Sequence, residues 1–215
     1  MTHDFKAMTL AEFTKIVASD SPTPGGGTMA AWCGVQAVSL IKMVYSLTIG
    51  KKCFDNVPPE KQLEFTRRME ELSELSAQFF RFMDEDSTAF SCVMNAFRMP
   101  KTCDEEKQQR SCAIQEAYLQ SAEVPLSVAK LAVTLFSYVR LAAEYGNPNA
   151  VSDAGVSALL AHTAVEGAAM NVKINTMSMK DREKAALLEE AATSLLEDSS
   201  LQKEEITAVV YSKIT

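Results

Sequence analysis

The sequence is poor in the residues on which most metal and relay chemistry depends. Two histidines, His3 and His162, are its only sources of imidazole. The five cysteines, Cys33, Cys53, Cys92, Cys103 and Cys112, contain no C-x-x-C pair, so the spacing of structural zinc and dithiol redox sites is missing. Their odd number fits reduced thiols acting as small core fillers in a cytoplasm. Basic charge is also scarce: Lys and Arg total 21 against 28 Asp and Glu, for a formal net charge of −7. That is the wrong sign for a protein that binds nucleic acid by neutralising phosphates. No positively charged start leads into an apolar run with a cleavage site, and Gln36, Lys42 and Glu166 interrupt the longest apolar stretches. A membrane partner is therefore not expected, and the expected location is the cytoplasm.

What is present is helical periodicity. Apolar residues recur every three or four positions, β-branched alternation is scarce, and the 8 Gly and 7 Pro fall mainly between the periodic runs. One all-α domain over residues 1–215 is expected, an elongated and largely antiparallel helix bundle. Thr9 and Glu12 are spaced as a capping box for a first helix, with Leu10, Phe13, Ile16 and Val17 as its buried stripe. A second helix is predicted from Thr28, as cap, to Thr48, closed by Gly50, with an inner face of Ala30, Ala31, Gly34 and Ala37 that lacks bulk. Pro58-Pro59 opens a long third helix to Phe97 along Leu63, Phe65, Met69, Leu72, Leu75, Phe79, Phe82 and Met83. From Asp104 the pattern resumes, Pro125 is expected to bend or split it, and Val128 to Tyr145 ends at Gly146. Ser152 or Asp153 is placed to cap a helix from Ala154 to Asn175, and two amphipathic helices, Asp181 to Glu197 and Leu201 to Lys213, complete the chain.

The stretch "SPTPGGG", Ser21 to Gly27, is the least ordinary. Gly25, Gly27 and Ala30 satisfy G-x-G-x-x-A, but a dinucleotide fingerprint needs a strand before it, and here a helix precedes. As plain punctuation, the glycines and prolines stop one helix and start the next. A helix N-terminus also exposes N–H donors that favour an anion, so Pro24, Gly25, Gly26 and Gly27 are candidate ligand-wall residues.

Polar residues stand where a core is expected. Asp153 and Asn171 are a whole number of helical turns apart, with Asn175 one turn further. They share a face but lie about 27 Å apart at the helical rise, so they serve different places or different subunits. Capping and bundle-tying account for such residues, as does recognition of a heterocycle rich in donors and acceptors. Lys51 and Lys52 after Gly50 either complement a helix C-terminus or serve a site. The methionine-rich faces read as packing, and His162 as a structural or exposed residue.

Taken together, "SPTPGGGTMAA" (21–31), "SLTIGKK" (46–52), "DEDSTAFSCVMNAFRMPK" (84–101), "EVPLSVA" (123–129) and "NPNAVSDAGVSALLAHTAVEGAAMNVKIN" (147–175) resemble the cyclodeaminase/cyclohydrolase family of one-carbon folate metabolism. The resemblance implies an all-α bundle, self-association as a homodimer, a tetrahydrofolate derivative as substrate, and no metal or other cofactor. The reaction it implies is hydrolysis of 5,10-methenyltetrahydrofolate to 10-formyltetrahydrofolate. The alternative is cyclisation of 5-formiminotetrahydrofolate with loss of ammonia, and a third reading is a helical folate-binding scaffold without turnover. The absence of an attached formiminotransferase domain tilts the expectation toward the hydrolase. Carried onto this sequence, Lys51, Lys52, Asp86 and Asp153 become catalytic candidates, with a lysine as proton shuttle and a carboxylate orienting the reacting groups. Asn147, Ser152, Asn171 and Asn175 join the glycine loop as substrate-binding candidates. Trp32, His162 and Glu166 depart from the family pattern.

Overall fold

The computed structural model describes residues 5–214; His3 lies outside the described residues. Among these, six α-helices are joined by short turns, without a strand: α1 (Leu10–Val17), α2 (Gly26–Ser46), α3 (Pro59–Arg98), α4 (Asp104–Tyr145), α5 (Val151–Thr176) and α6 (Arg182–Ile214). Single 3-10 turns lie at Phe5–Ala7, Phe54–Asn56 and Pro148–Ala150. α3 and α4, 40 and 42 residues long, each reach about 60 Å at the helical rise and give the bundle its length.

Neighbouring helices run antiparallel, as cross-helix contacts show. α2 meets α3 through Thr28 with Asp86 and Lys42 with Ser73. It meets α5 through Ser157, whose hydroxyl donates to the Ala37 carbonyl at 2.9 Å, and at the other end through Gly26 beside Asn171. α5 and α6 are tied by His162 to Ser199 and by Thr176 to Glu189. α5 is thus packed against α2, α4 and α6 at once.

Small residues set how closely these helices approach. Ala30, Ala31, Gly34 and Ala37 are all buried, as their lack of bulk predicts. A Cβ at Gly34 would sit 2.4 Å from the ring of the fully buried Phe79, and one at Gly167 would meet the Ala30 methyl at 3.3 Å. Gly50 adopts φ +69°, the left-handed conformation that ends the chain's run out of α2.

Local signals succeed where they act alone and fail where a partner elsewhere overrides them. The capping box forms, with the Thr9 N–H donating to Glu12 at 2.8 Å and the Glu12 N–H to Thr9 Oγ1 at 3.2 Å. Within its stripe, however, Phe13 is buried while Leu10 is 72% exposed. α2 starts at Gly26, with Gly25 as cap, so Thr28 is a helix residue and not the cap. α5 begins directly after the Pro148–Ala150 turn with no side-chain cap. Ser152 and Asp153 therefore lie inside its first turn, and Asn147 caps the preceding turn by accepting the Asn149 N–H at 3.0 Å. The two expected terminal helices are one, because Glu197 to Ser200 continue the helix between them without a break. Cys92, Cys103 and Cys112 are exposed, so only the half-buried Cys33 and Cys53 approach a core-filling role. α2 and α4 meet the length and hydropathy of a membrane span, but in each the most apolar window is 56% buried inside the bundle, as in a core helix.

Pro125 neither splits nor ends α4. Proline lacks the N–H that would bond the carbonyl four residues earlier, here Ser121. That carbonyl accepts instead from Asn175 Nδ2 of α5 at 2.7 Å. The second Asn175 amide hydrogen goes to the Asn171 carbonyl at 2.9 Å, so the nitrogen ties α4 to α5 at the position where α4 lacks its own donor.

Two measurements follow. Asn175→Ala should lower stability by about 1–3 kcal/mol, the cost of stranding a buried carbonyl. Adding Pro125→Ala should recover most of that loss by restoring the intrahelical donor, giving a double-mutant cycle in denaturant melts with clear coupling; independent, additive losses would contradict the account. Gly34→Ala should lower the midpoint despite gaining about 1 kcal/mol of helix propensity, because displacing Phe79 costs about 1–3 kcal/mol.

Candidate functional site

Gly25 caps α2 in an extended conformation and leaves the helix's first turn, Gly26 and Gly27, without side chains. That bareness is required. A Cβ on Gly27 would lie 2.1 Å from Asp86 Oδ1, and one on Gly26 would lie 3.0 Å from Asn171 Nδ2. The glycine run therefore lets a carboxylate from α3 and an amide from α5 close onto the start of α2. Pro24 is buried behind them.

Asp86 takes the place of the cap expected of Thr28. The Thr28 hydroxyl donates to Asp86 Oδ2 at 2.7 Å, with Ser87 Oγ 3.4 Å from the same hydroxyl, and the Thr28 backbone N–H also bonds the carboxylate. An anion at a helix N-terminus is favoured by the unpaired N–H groups and the macrodipole. In this chain the anion is one of its own side chains. Burial pushes the Asp86 carboxyl above the usual aspartate range, and the two Thr28 hydrogen bonds oppose that rise. A carboxylate so placed can accept a proton nearer neutrality than an exposed one, or orient water or an N–H of a heterocycle.

Asn171 completes this end of the bundle. Its Nδ2 donates to the Gly167 carbonyl at 2.8 Å beside Gly26, and Asn175 follows one turn on, engaged with Ser121 and Asn171 as described. Ser121 Oγ, next to that junction, is a buried hydroxyl without a protein partner.

The other candidates gather at the opposite end of α2. The Asn147 N–H donates to Thr48 Oγ1 at 2.9 Å and its Nδ2 to the Leu47 carbonyl at 2.8 Å, which pins the α4–α5 turn to the C-terminus of α2. Lys51 and Lys52 follow in the exposed turn after Gly50. Ser152 is exposed and Asp153 half-buried at the start of α5. The 21 residues of α2 put about 30 Å between the two groups. One subunit therefore assembles Gly25 to Gly27, Asp86, Asn171 and Asn175 at one end, and Asn147, Ser152, Asp153, Lys51 and Lys52 at the other.

Thr28 and Thr48 were not singled out as site residues, although each holds one that was. Thr28 has a helix-start signature that conceals its bond to a residue 58 positions away, and no local pattern marks Thr48. A separate cavity of 410 Å³ opens between α3 and α4, lined by Asp84, Glu85, Thr88, Gln120 and Glu123 among others, and includes none of the candidates. Among the described residues no three of His, Cys, Asp or Glu gather as a metal set. His162 is half-buried, 3.0 Å from Ser199 Oγ and 3.6 Å from Glu166, and burial holds its pKa below the usual value.

Residues 9–194 match the formiminotransferase-cyclodeaminase family. A methenyltetrahydrofolate cyclohydrolase from Methylorubrum extorquens is 35% identical over 206 residues, 96% of this chain and 97% of its own. The formimidoyltransferase-cyclodeaminase of Rattus norvegicus is 34% identical over 192 residues, which are 86% of this chain but 35% of that longer protein. The crystal structure of formiminotetrahydrofolate cyclodeaminase from Thermotoga maritima superposes with a TM-score of 0.77 at 28% identity, covering 97% of this chain and 96% of that one. With a family match across most of its length and a full-length relative above 30% identity, this chain belongs to the formiminotransferase-cyclodeaminase family.

Proposed function

We propose that residues 1–215 act as one cyclodeaminase/cyclohydrolase domain, a cytoplasmic homodimer that hydrolyses 5,10-methenyltetrahydrofolate to 10-formyltetrahydrofolate. The observation that carries the reading is Asp86: a half-buried carboxylate, held against a glycine-walled helix start beside the Asn171 amide, in a chain 35% identical to a methenyltetrahydrofolate cyclohydrolase. Water adds to the cationic methenyl carbon and gives up one proton. The resulting tetrahedral adduct then breaks its bond to N5, the adduct hydroxyl becomes the formyl oxygen, and N5 takes back a proton. One proton leaves overall. Asp86 accepts or orients the proton of the attacking water, Asn171 presents donor and acceptor to the pterin, and Lys52 or Lys51, supplied by the other subunit of the homodimer because the two groups lie at opposite ends of α2, shuttles the proton to N5. Asp153 is the second carboxylate available to orient the reacting groups. Asn147 and Ser152 line the approach on that side, and Asn175 holds the floor beneath Asn171. No metal or further cofactor is required by this sequence of steps.

A second reading is favoured by the fold match to the Thermotoga cyclodeaminase, which extends over 96% of that chain. In that reaction N10 attacks the formimino carbon of 5-formiminotetrahydrofolate and ammonia leaves. The tetrahedral centre is similar, so the same carboxylate and lysine would serve.

Purified protein offered each folate separately should consume the methenyl chromophore in the first case and generate it in the second. Binding of both without turnover would instead mark a folate-binding scaffold. Lys52→Met, or Lys51→Met if the shuttle is its neighbour, should lower kcat by 10²-fold or more, about the contribution of a positioned acid or base, with unchanged helicity; full activity in both variants would remove the lysines from the mechanism. The acid limb of the pH profile should reflect Asp86. Because burial raises its pKa, activity that needs the carboxylate should rise through that raised value, and Asp86→Asn should flatten the limb. The sign for stability is opposite. Stability from the neutral acid is fully present below the unfolded pKa and is lost as pH rises through the folded one, so wild type should lose stability over that window and Asp86→Asn should not.

A further inference from the structure

Hydroxyls inside the helices of this bundle commonly turn back on their own helix: Ser39 donates to the Val35 carbonyl, Thr48 to Val44 and Thr88 to Asp84, each one turn earlier. Thr28 does not. It is the third residue of α2, with less than a full helical turn behind it, and its N–H is one of those that a helix start leaves without a partner. Both donors leave the helix and meet Asp86 of α3, the hydroxyl at Oδ2 at 2.7 Å and the N–H on the same carboxylate. Thr28 is completely buried, so packing locks its branched Cβ and gives the hydroxyl one direction.

A hydroxyl carries one proton, and Thr28 gives it to Oδ2. The Ser87 hydroxyl, 3.4 Å away, is beyond the usual length of an O–H···O bond and competes weakly for it. Oδ1 is the oxygen that lies closest against the bare Gly27, and no side chain among the described residues donates to it. The two oxygens of Asp86 are thus unequal: one is tethered, and the other faces the glycine-walled start of α2. We propose that Thr28 is a positioning residue for the reaction, which by holding Oδ2 presents Oδ1 to the reacting centre. The proposal deepens the proposed function and rests on its use of Asp86.

The same tether acts on protonation. Burial raises the Asp86 carboxyl pKa, and the Thr28 hydroxyl and N–H lower it. Within a subunit no charged side chain of α2, α3 or α5 adds to these effects. Asn171, which faces the helix start from α5, is neutral, and Asp84 and Glu85 of α3 line the cavity on the α4 side. Lysines reaching the site from the other subunit act alike on wild type and on a Thr28 variant. Thr28 is therefore the side chain whose loss shifts Asp86 without removing a charge, and valine at this position keeps the shape while losing the tether.

The test compares pH profiles of folate turnover for Thr28→Val, Thr28→Ser, Ser87→Ala and Asp86→Asn. Thr28→Val should move the acid limb upward by about one pH unit, the effect of losing a hydrogen bond to a charged group, so that the rate at a fixed pH on the limb falls about tenfold. On the plateau kcat should fall about tenfold with KM unchanged, as when a reacting group loses its orientation. Thr28→Ser should restore both. Ser87→Ala, which removes a neighbouring hydroxyl but not the tether, should leave the limb in place. A limb unmoved by Thr28→Val, a limb moved as far by Ser87→Ala, or a loss confined to KM overturns the proposal. Denaturant melts give a readout without turnover. Wild type loses stability as pH rises through the raised Asp86 value, so Thr28→Val, which raises that value further, should carry the window upward and have no such effect in an Asp86→Asn background. A window that stays in place overturns the proposal. If wild-type protein turns over neither folate, the proposed function fails while the melts still decide whether Thr28 governs Asp86. If Asp86→Asn flattens the limb and Thr28→Val does not move it, that function stands and the role of Thr28 falls.

Discussion

Everything in this bundle depends on how closely other elements approach α2. Its glycines and alanines admit the Asp86 carboxylate at Gly27 and the Phe79 ring at Gly34, while Ala30 fits beneath Gly167 of α5. Packed cores do not stretch continuously to accommodate bulk, so a side chain at any of these points would shift a helix. The same close approach builds the candidate site. Only with α2 bare at its start can a carboxylate from α3 and an amide from α5 converge on one helix terminus.

That convergence has an electrostatic logic of its own. The helix terminus draws negative charge, while burial opposes it, and Asp86 is held between the two with Thr28 donating to its charged form. A solvent-exposed aspartate would have an ordinary acidity and no fixed orientation. Asp86 gains both a direction and an altered proton affinity from a backbone arrangement that, in a dinucleotide-binding fold, would face a phosphate.

Much of the architecture was legible in the sequence because it is written locally. The capping box at Thr9 and Glu12, the long apolar repeat of α3 and the stop at Gly146 each act over a few residues. The misjudged boundaries share one cause. Thr28 is bonded to Asp86, Pro125 is compensated from α5, and the junction between the expected last two helices is held helical in a long helix packed on the bundle. Each depends on a neighbour distant in sequence, which local propensity cannot report. The candidate site was legible as a set of residue types and not as a place. Asn171 and Asp153 were rightly put on one helix too far apart to meet, but the cradle of Gly26, Gly27 and Asp86 spans three helices, and no spacing encodes it.

The junction of Pro125 with Asn175 also limits the order in which the sequence can change. A chain that first loses the proline regains its own helical donor, and the asparagine becomes free to vary. A chain that first loses the asparagine strands a carbonyl in the interior and must pass through a less stable intermediate. One proline in a long helix thus gives this part of the fold a preferred direction of mutational drift, set by which partner can leave without cost to the other.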